Sequence, residues 1–411
     1  MTAADPATAV ARGAGAGAGV GVGVPDAGAA PSPALLASAG TASAGEGGLV
    51  VARAPGKLFV AGEYAVLDAG RPAVLVAVDR YVSVAVTPAP SGVEIVSDLG
   101  ARARLALSAG VLGPYAPAQV ASLTHVAAAV GQVAALALEH GRRLPPCRVR
   151  VASGLHEEGR KYGLGSSGAV TVAAVQALAA FAGLDLGAWQ RLKLALVVTA
   201  GLDRRASGGD VAAATFGGWI GYRSPDRAWL AERTAGGSPA RVLGQRWPHL
   251  AVGRLPAPRQ ALLKVGWTGS PAASSAMVAG LDASGWRDSA EYRLFVARTG
   301  ECVSALAAAL AGGDGAAAVE QVAEAGRALE RLDRRVGLGV FTPRLRALVR
   351  AARRAGGAGK PSGAGGGDCG IALLPAAFKD RAEQLAEQWT AAGVLPLPLG
   401  TAAEGNRECQ S

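Results

Sequence analysis

The chain has 411 residues, half of them apolar, with 41 basic and 31 acidic side chains and a net charge of +10. This length and apolar content suffice to bury two ordinary domains and exclude a fibrous or wholly disordered protein. The arginines are scattered without dense runs, four cysteines form no C-x-x-C pair and four histidines show no ligand spacing, which excludes a nucleic-acid binder, a disulfide scaffold and a zinc site, and leaves a mild attraction for small anions.

In chain order, residues 1–47 are low-complexity Ala, Gly, Pro and Ser with few large side chains, and are expected to form a disordered tail. They lack a basic stretch followed by an apolar one, and no apolar run of about 18 residues escapes polar interruption, so a cytoplasmic protein without a membrane partner is expected. Order is expected from "LVVARAPGKLFVAGEYAVLD" (49–68). Val74, Val76 and Val78, then Val82, Val84 and Val86, recur at period two, predicting strands over 72–88; "VEIVSD" and "CRVRVAS" read alike. Helical patterns interleave at 118–141, 166–183 and 186–201, giving a mixed α+β domain over 48–225. A looser segment, 226–259, is expected to connect it to a second domain, 260–411. There a strand (261–269), helices near 271–281, 289–311, 316–335 and 343–355, a glycine-rich turn (362–368), a helix (379–393) and a short strand suggest a ferredoxin-like layer.

Only six of the basic residues are lysines, and Lys57, Lys161 and Lys360 fall within glycine-rich segments. In a chain that otherwise uses arginine, lysine marks places where a compact, rotatable ammonium is wanted. "RKYGLGSSGAV" (160–170) matches both G-x-G-x-x-G of dinucleotide folds and the glycine loop of protein kinases. A polar loop separates it from the preceding strand, against the first reading; no V-A-I-K, H-R-D or D-F-G follows, against the second. Neither Gly56-Lys57 nor Gly359-Lys360 is followed by Ser or Thr, so there is no Walker A motif. Read alone, the segment is either a serine-capped turn or an anion cradle at a helix start, where glycines admit close backbone approach and the first amides carry partial positive charge.

Three segments, "APGKLFVAGEYAVLD" (54–68), "KYGLGSSGAVTVA" (161–173) and "KPSGAGGGDCGIAL" (360–373), stand in the order and spacing of the signatures of the GHMP kinase superfamily, which the chain resembles over roughly residues 50–400. "SGGDVAAATFGG" (207–218) and "GWTGSPAASSAMV" (266–278) make it most similar to the phosphomevalonate kinase branch. The resemblance implies an N-terminal domain like ribosomal protein S5 domain 2, a C-terminal ferredoxin-like domain, ATP and phosphomevalonate in the cleft between them, Mg²⁺, and a monomer or homodimer. It implies Lys57 and Asp210 as catalytic residues, with Asp210 favoured as a positioning group over a base. The ATP phosphates would be held by Lys161, Gly163, Leu164, Gly165, Ser166, Ser167, Gly168 and Ala169, and the metal by Ser167. The acceptor would be held by Lys57, Arg160, Lys161, Ser362, Gly363, Ala364 and Asp368. Where several relatives carry a second metal-binding glutamate, this chain has Thr199, and Asp203 is the nearest acid. Mevalonate kinase, phosphorylating an alcohol, is the rival within the superfamily.

Overall fold

The computed structural model describes residues 43–44, 48–157, 159–235 and 238–402. The tail expected over 1–47 lies almost wholly outside these residues. Two sheets organise the rest. The larger contains β1 (Val50–Ala61), β2 (Pro72–Pro88), β3 (Val93–Ser97), β4 (Arg102–Leu105) and β5 (Cys147–Ser153) in the order β1-β2-β5-β3-β4. The short pair Ser43–Ala44 lies along the outer edge of β1. Strand β6 (Trp219–Arg223) pairs with the first half of β2, and β7 (Ala251–Leu255) pairs with β6.

The valines at period two in β2 are buried, and so are most residues between them, because helices α2 (Ser166–Phe181) and α4 (Gly209–Phe216) pack on β1 and β2 and α8 (Ala290–Gly312) also reaches β2. Helices α1 (Thr124–Glu139) and α3 (Ala188–Leu202) complete this layer against α2. Residues 226–259, expected as a connecting segment, form α5 (Arg227–Thr234), α6 (Pro239–Gly244) and β7, the last extending the first sheet. Their Pro and Arg content resembles a loop because β7 is an edge strand, largely exposed.

The second sheet is antiparallel: β8 (Ala261–Trp267), β9 (Ala358–Pro361), β10 (Cys369–Pro375) and β11 (Leu395–Leu397) stand in the order β9-β10-β8-β11, the ferredoxin-like arrangement. Between β8 and β9 run α7 (Ser274–Ala283), α8, α9 (Gly315–Val336) and α10 (Pro343–Arg354); α11 (Arg381–Ala391) precedes β11. Helix α8 is long and apolar enough to span a bilayer by length and composition, but its stripe from Tyr292 through Val296, Thr299, Val303 and Leu306 to Leu310 is buried in the protein at helical spacing.

One hydrophobic cluster fills the first layer and runs on through Leu306 of α8 and Val322 of α9 to Val265, Ile371 and Leu373 of the second sheet. A second, built mainly from α8–α10 and β10, also takes in Tyr64, Ala65 and Leu67 from the turn after β1. The residues just beyond Lys57 are thus embedded among those of the second half of the chain, and this sets the walls of the cleft described next.

Candidate active site

A cleft of about 560 Å³ is lined by Lys57 and Phe59 of β1, the turn 63–67, Lys161 and the glycine loop, the loop 203–207, Asp210, residues 271–275 with Val278, and Gly363, Ala364 and Asp368. Lys57 is placed by irregular pairing. The β1–β2 register shifts between Pro55 and Gly56 and again between Phe59 and Ala61, so Lys57 sits on a short segment bounded by two bulges, devices that re-aim side chains. Its amide donates to the Leu164 carbonyl at 2.8 Å, pinning the glycine loop to the strand. The residue is 9% exposed, and its side chain passes over the Phe59 ring with Nζ 5.4 Å from the centroid.

The glycine loop fits because it lacks side chains. Gly165, at φ 74°, caps α2, and a Cβ there would stand 2.9 Å from Lys57 Cε; a Cβ on Gly168 would stand 2.6 Å from Asp210 Oδ2. A side chain at either position would displace a charged group. Asp210, in the first turn of α4, receives the Val211 amide at Oδ1 (3.0 Å) and the Ser167 hydroxyl at Oδ2 (3.4 Å).

Helices α2, α4 and α7 open on the cleft, and none has a side-chain cap at its N-terminus: the caps are Gly165, Gly208 and Ala273. Of the other helices, α5, α6, α8, α9 and α10 are capped by Asp226, Ser238, Ser289, Asp314 and Thr342, while α1 and α11 have no side-chain cap. In α4 the Gly209 and Val211 amides are taken by Ser207 and Asp210, so the free first-turn amides on this cleft belong to α2 and α7, where their partial positive charge suits a bound anion.

Asp368 adopts φ 53° and accepts the Ala272 amide at 2.9 Å, joining the third motif to the segment before α7. Burial pushes its carboxyl above the usual range, opposed by the Ala272 amide and by the charges of Lys57 and Lys161. Beneath the cleft, Lys360 of β9 is fully buried and paired with Glu63, itself almost wholly enclosed, while the Gly363 amide lies 3.5 Å from Glu63 Oε1. Burial pulls the Lys360 ammonium down, and the carboxylate opposes that shift. The Tyr64 hydroxyl donates to the Ala364 carbonyl at 2.6 Å.

Of the residues expected at the site, Lys57, Lys161, Gly163, Gly165, Ser166, Ser167, Asp210, Gly363, Ala364 and Asp368 line one cleft. Leu164, Gly168 and Ala169 are buried behind it and act through packing and backbone. Two of the expected residues stand apart from the lining. Ser362 is buried, with its hydroxyl accepting the Phe59 amide at 2.9 Å and donating to the Phe59 carbonyl at 3.0 Å, and so ties the end of β9 to β1. Arg160 is exposed and absent from the lining, as alternation along the short strand Arg160–Lys161 dictates when Lys161 faces inward. Thr199 is buried and donates to the Ala195 carbonyl, whereas Asp203 reaches the cleft and receives the Ser275 hydroxyl at 3.0 Å. Sequence reading missed Glu63, Tyr64, Lys360 and Arg205. Only the lysine carried a signal, its rarity.

Two family models match the chain: GHMP kinases N terminal domain over residues 125–218 and GHMP kinases C terminal over 305–395. A Streptomyces sp. (strain CL190) protein named phosphomevalonate kinase is 48% identical over 369 residues, 87% of this chain and 98% of that one. Among solved structures, a Lin0012 protein from Listeria innocua superposes with a TM-score of 0.80 at 31% identity, covering 87% of this chain and 99% of the other. Streptococcus pneumoniae phosphomevalonate kinase, in complex with phosphomevalonate and AMPPNP, superposes with a TM-score of 0.74 at 28% identity, covering 85% and 99%. With its two layers, its glycine loop at the start of α2 and its matching relatives, the chain belongs to the phosphomevalonate kinase family of the GHMP kinases.

Proposed function

We propose that the protein transfers the γ-phosphoryl group of ATP to the phosphate of (R)-5-phosphomevalonate, releasing ADP and (R)-5-diphosphomevalonate. The observation that carries this reading is Lys57, nearly buried on β1 beside Gly165 and Asp210, on a cleft onto which the uncapped N-termini of α2 and α7 open. Both substrates are polyanions, so the main barrier is bringing phosphate to phosphate while charge builds on the transferred group. Amides at the start of α2, with Ser166 and Lys161, would hold the ATP phosphates. Lys57 would stand between donor and acceptor, where fixed positive charge in a water-poor setting acts most strongly. Gly363 and Ala364 would flank the acceptor phosphate. Because that phosphate loses its second proton near pH 6, a strong base is not needed, and Asp210 positions Lys57 and the acceptor.

Mg²⁺ suits the hard oxygen donors of Ser167 and Asp210, which touch at 3.4 Å. Among the described residues there is no group of three or more His, Cys, Asp or Glu side chains that could hold an ion, so substrate phosphates would supply its remaining ligands. When bound it neutralises phosphate charge. The enzyme would work as a monomer or homodimer, and its soluble anionic substrates suit a cytoplasmic enzyme.

Phosphorus NMR of a reaction with Mg-ATP and phosphomevalonate tests the reading. The expected result is conversion of the acceptor monophosphate resonance into a coupled diphosphate pair as ADP appears; ADP formation without that pair would contradict it.

A further inference from the structure

Resting on that reading, we propose that Arg205 binds the carboxylate of the acceptor and so sets which acids the enzyme accepts. The cleft lining contains three cationic side chains besides the buried, paired floor, and they belong to three separate neighbourhoods. Lys161 adjoins the glycine loop, where Gly163 packs on Asp368. Lys57 stands in the middle, against Gly165 and Asp210. Arg205 belongs to the opposite end: Arg227 donates both to the Arg205 carbonyl and to the Leu67 carbonyl, and Asp282, which contacts Arg205, is joined through Arg287 to Asp68. Along the facing wall, Ala272 touches Asp368, Ser275 touches Asp203, and Asp282 lies seven residues farther along α7, about 10 Å by helical rise.

The acceptor has an anion at each end of a five-carbon chain. Its phosphate must meet the γ-phosphate beside Lys57, so its carboxylate projects away from ATP, toward the 64–67 wall and Arg205. Val66, Leu67 and Val278, on the lining between, suit the 3-methyl group.

Arg205 is built to make such an exchange. Its backbone is fixed, with the amide donating to Asp203 Oδ1 at 2.8 Å and the carbonyl held by Arg227 at 3.0 Å. Its side chain is 55% exposed and meets Asp282 through Nε at 3.3 Å. Asp282 is already paired with Arg287 at 2.8 Å, so it stays neutralised if Arg205 turns inward. An exposed ion pair of this kind contributes little, whereas a two-pronged guanidinium–carboxylate contact inside the cleft is stronger and geometrically selective.

The test is steady-state kinetics of the full-length enzyme with saturating Mg-ATP, comparing wild type with Arg205→Gln, Arg205→Lys and Asp282→Asn on phosphomevalonate and on its primary amide. Wild-type turnover of phosphomevalonate is the control for the activity itself; its absence would defeat the proposed function, whatever Arg205 does. Given turnover, Arg205→Gln should raise the acceptor KM about 10- to 100-fold and leave the ATP KM within about threefold, with Arg205→Lys in between. Wild type should prefer acid over amide by a similar factor, and Arg205→Gln should erase that preference. Asp282→Asn, which frees Arg205, should keep the acceptor KM within about twofold or lower it. An unchanged acceptor KM in Arg205→Gln, equal losses for both substrates, or an undiminished preference for the acid would overturn the assignment.

Discussion

The two sides of the cleft are built on different terms. On one, β1, α2, α4 and the Glu63–Lys360 floor hold their charged groups in close-packed positions: glycines are required where Lys57 and Asp210 approach, and the floor pair is sealed from water. On the other, the segment from Ala272 to Asp282 meets the first half of the chain through exposed contacts, Ser275 with Asp203 and Arg205 with Asp282. The difference separates fixed machinery from exchangeable contacts. Groups that must act at a set distance from a reacting phosphorus atom are buried, and groups that meet an entering substrate keep weak resting partners.

Substitutions should reproduce that ranking. The largest effect is expected beneath the cleft: Lys360→Met leaves Glu63 buried without its cation and should lower stability by about 3–5 kcal/mol, read as a drop in the urea midpoint at unchanged m-value. The double variant Lys360→Met with Glu63→Leu should regain most of the loss, and equal instability in both would show that packing rather than charge is at stake. Next comes Lys57→Ala, expected to cut kcat about 10²–10³-fold with the circular dichroism spectrum intact. Turnover within a few-fold of wild type would remove Lys57 from the chemistry. Gly168→Ala inserts a methyl against the Asp210 carboxylate and should cost about 1–3 kcal/mol, divided between thermal stability and kcat. On the facing wall, Ser275→Ala removes one exposed hydrogen bond, and kcat/KM should stay within about threefold; a loss matching that of Lys57→Ala would break the contrast.

The fold was legible where the chain repeats itself at a structural period. The valines of β2, the long helical patterns of α1–α3 and the strand–helix order of the second half all predict elements close to those found. Residues 226–259 escaped because an edge strand and two short helices need little apolar periodicity. The site was legible where it depends on backbone, since glycines at fixed offsets announce a loop that something must approach. It was less legible where it depends on the direction of a side chain. Ser362 stands in the right motif but turns its hydroxyl to Phe59, and Arg160 is separated from Lys161 only by strand alternation. Glu63 and Lys360 are 297 positions apart, so no local pattern could pair them. Arg205 is one of 35 arginines, marked only by where the fold puts it.

The central claim is that this cleft brings a phosphate, not an alcohol, up to ATP. The most direct measurement is a coupled ADP assay with Mg-ATP, run in parallel with phosphomevalonate and with mevalonate. The expected result is sustained ADP release with phosphomevalonate and little with mevalonate; a preference for mevalonate would contradict the account.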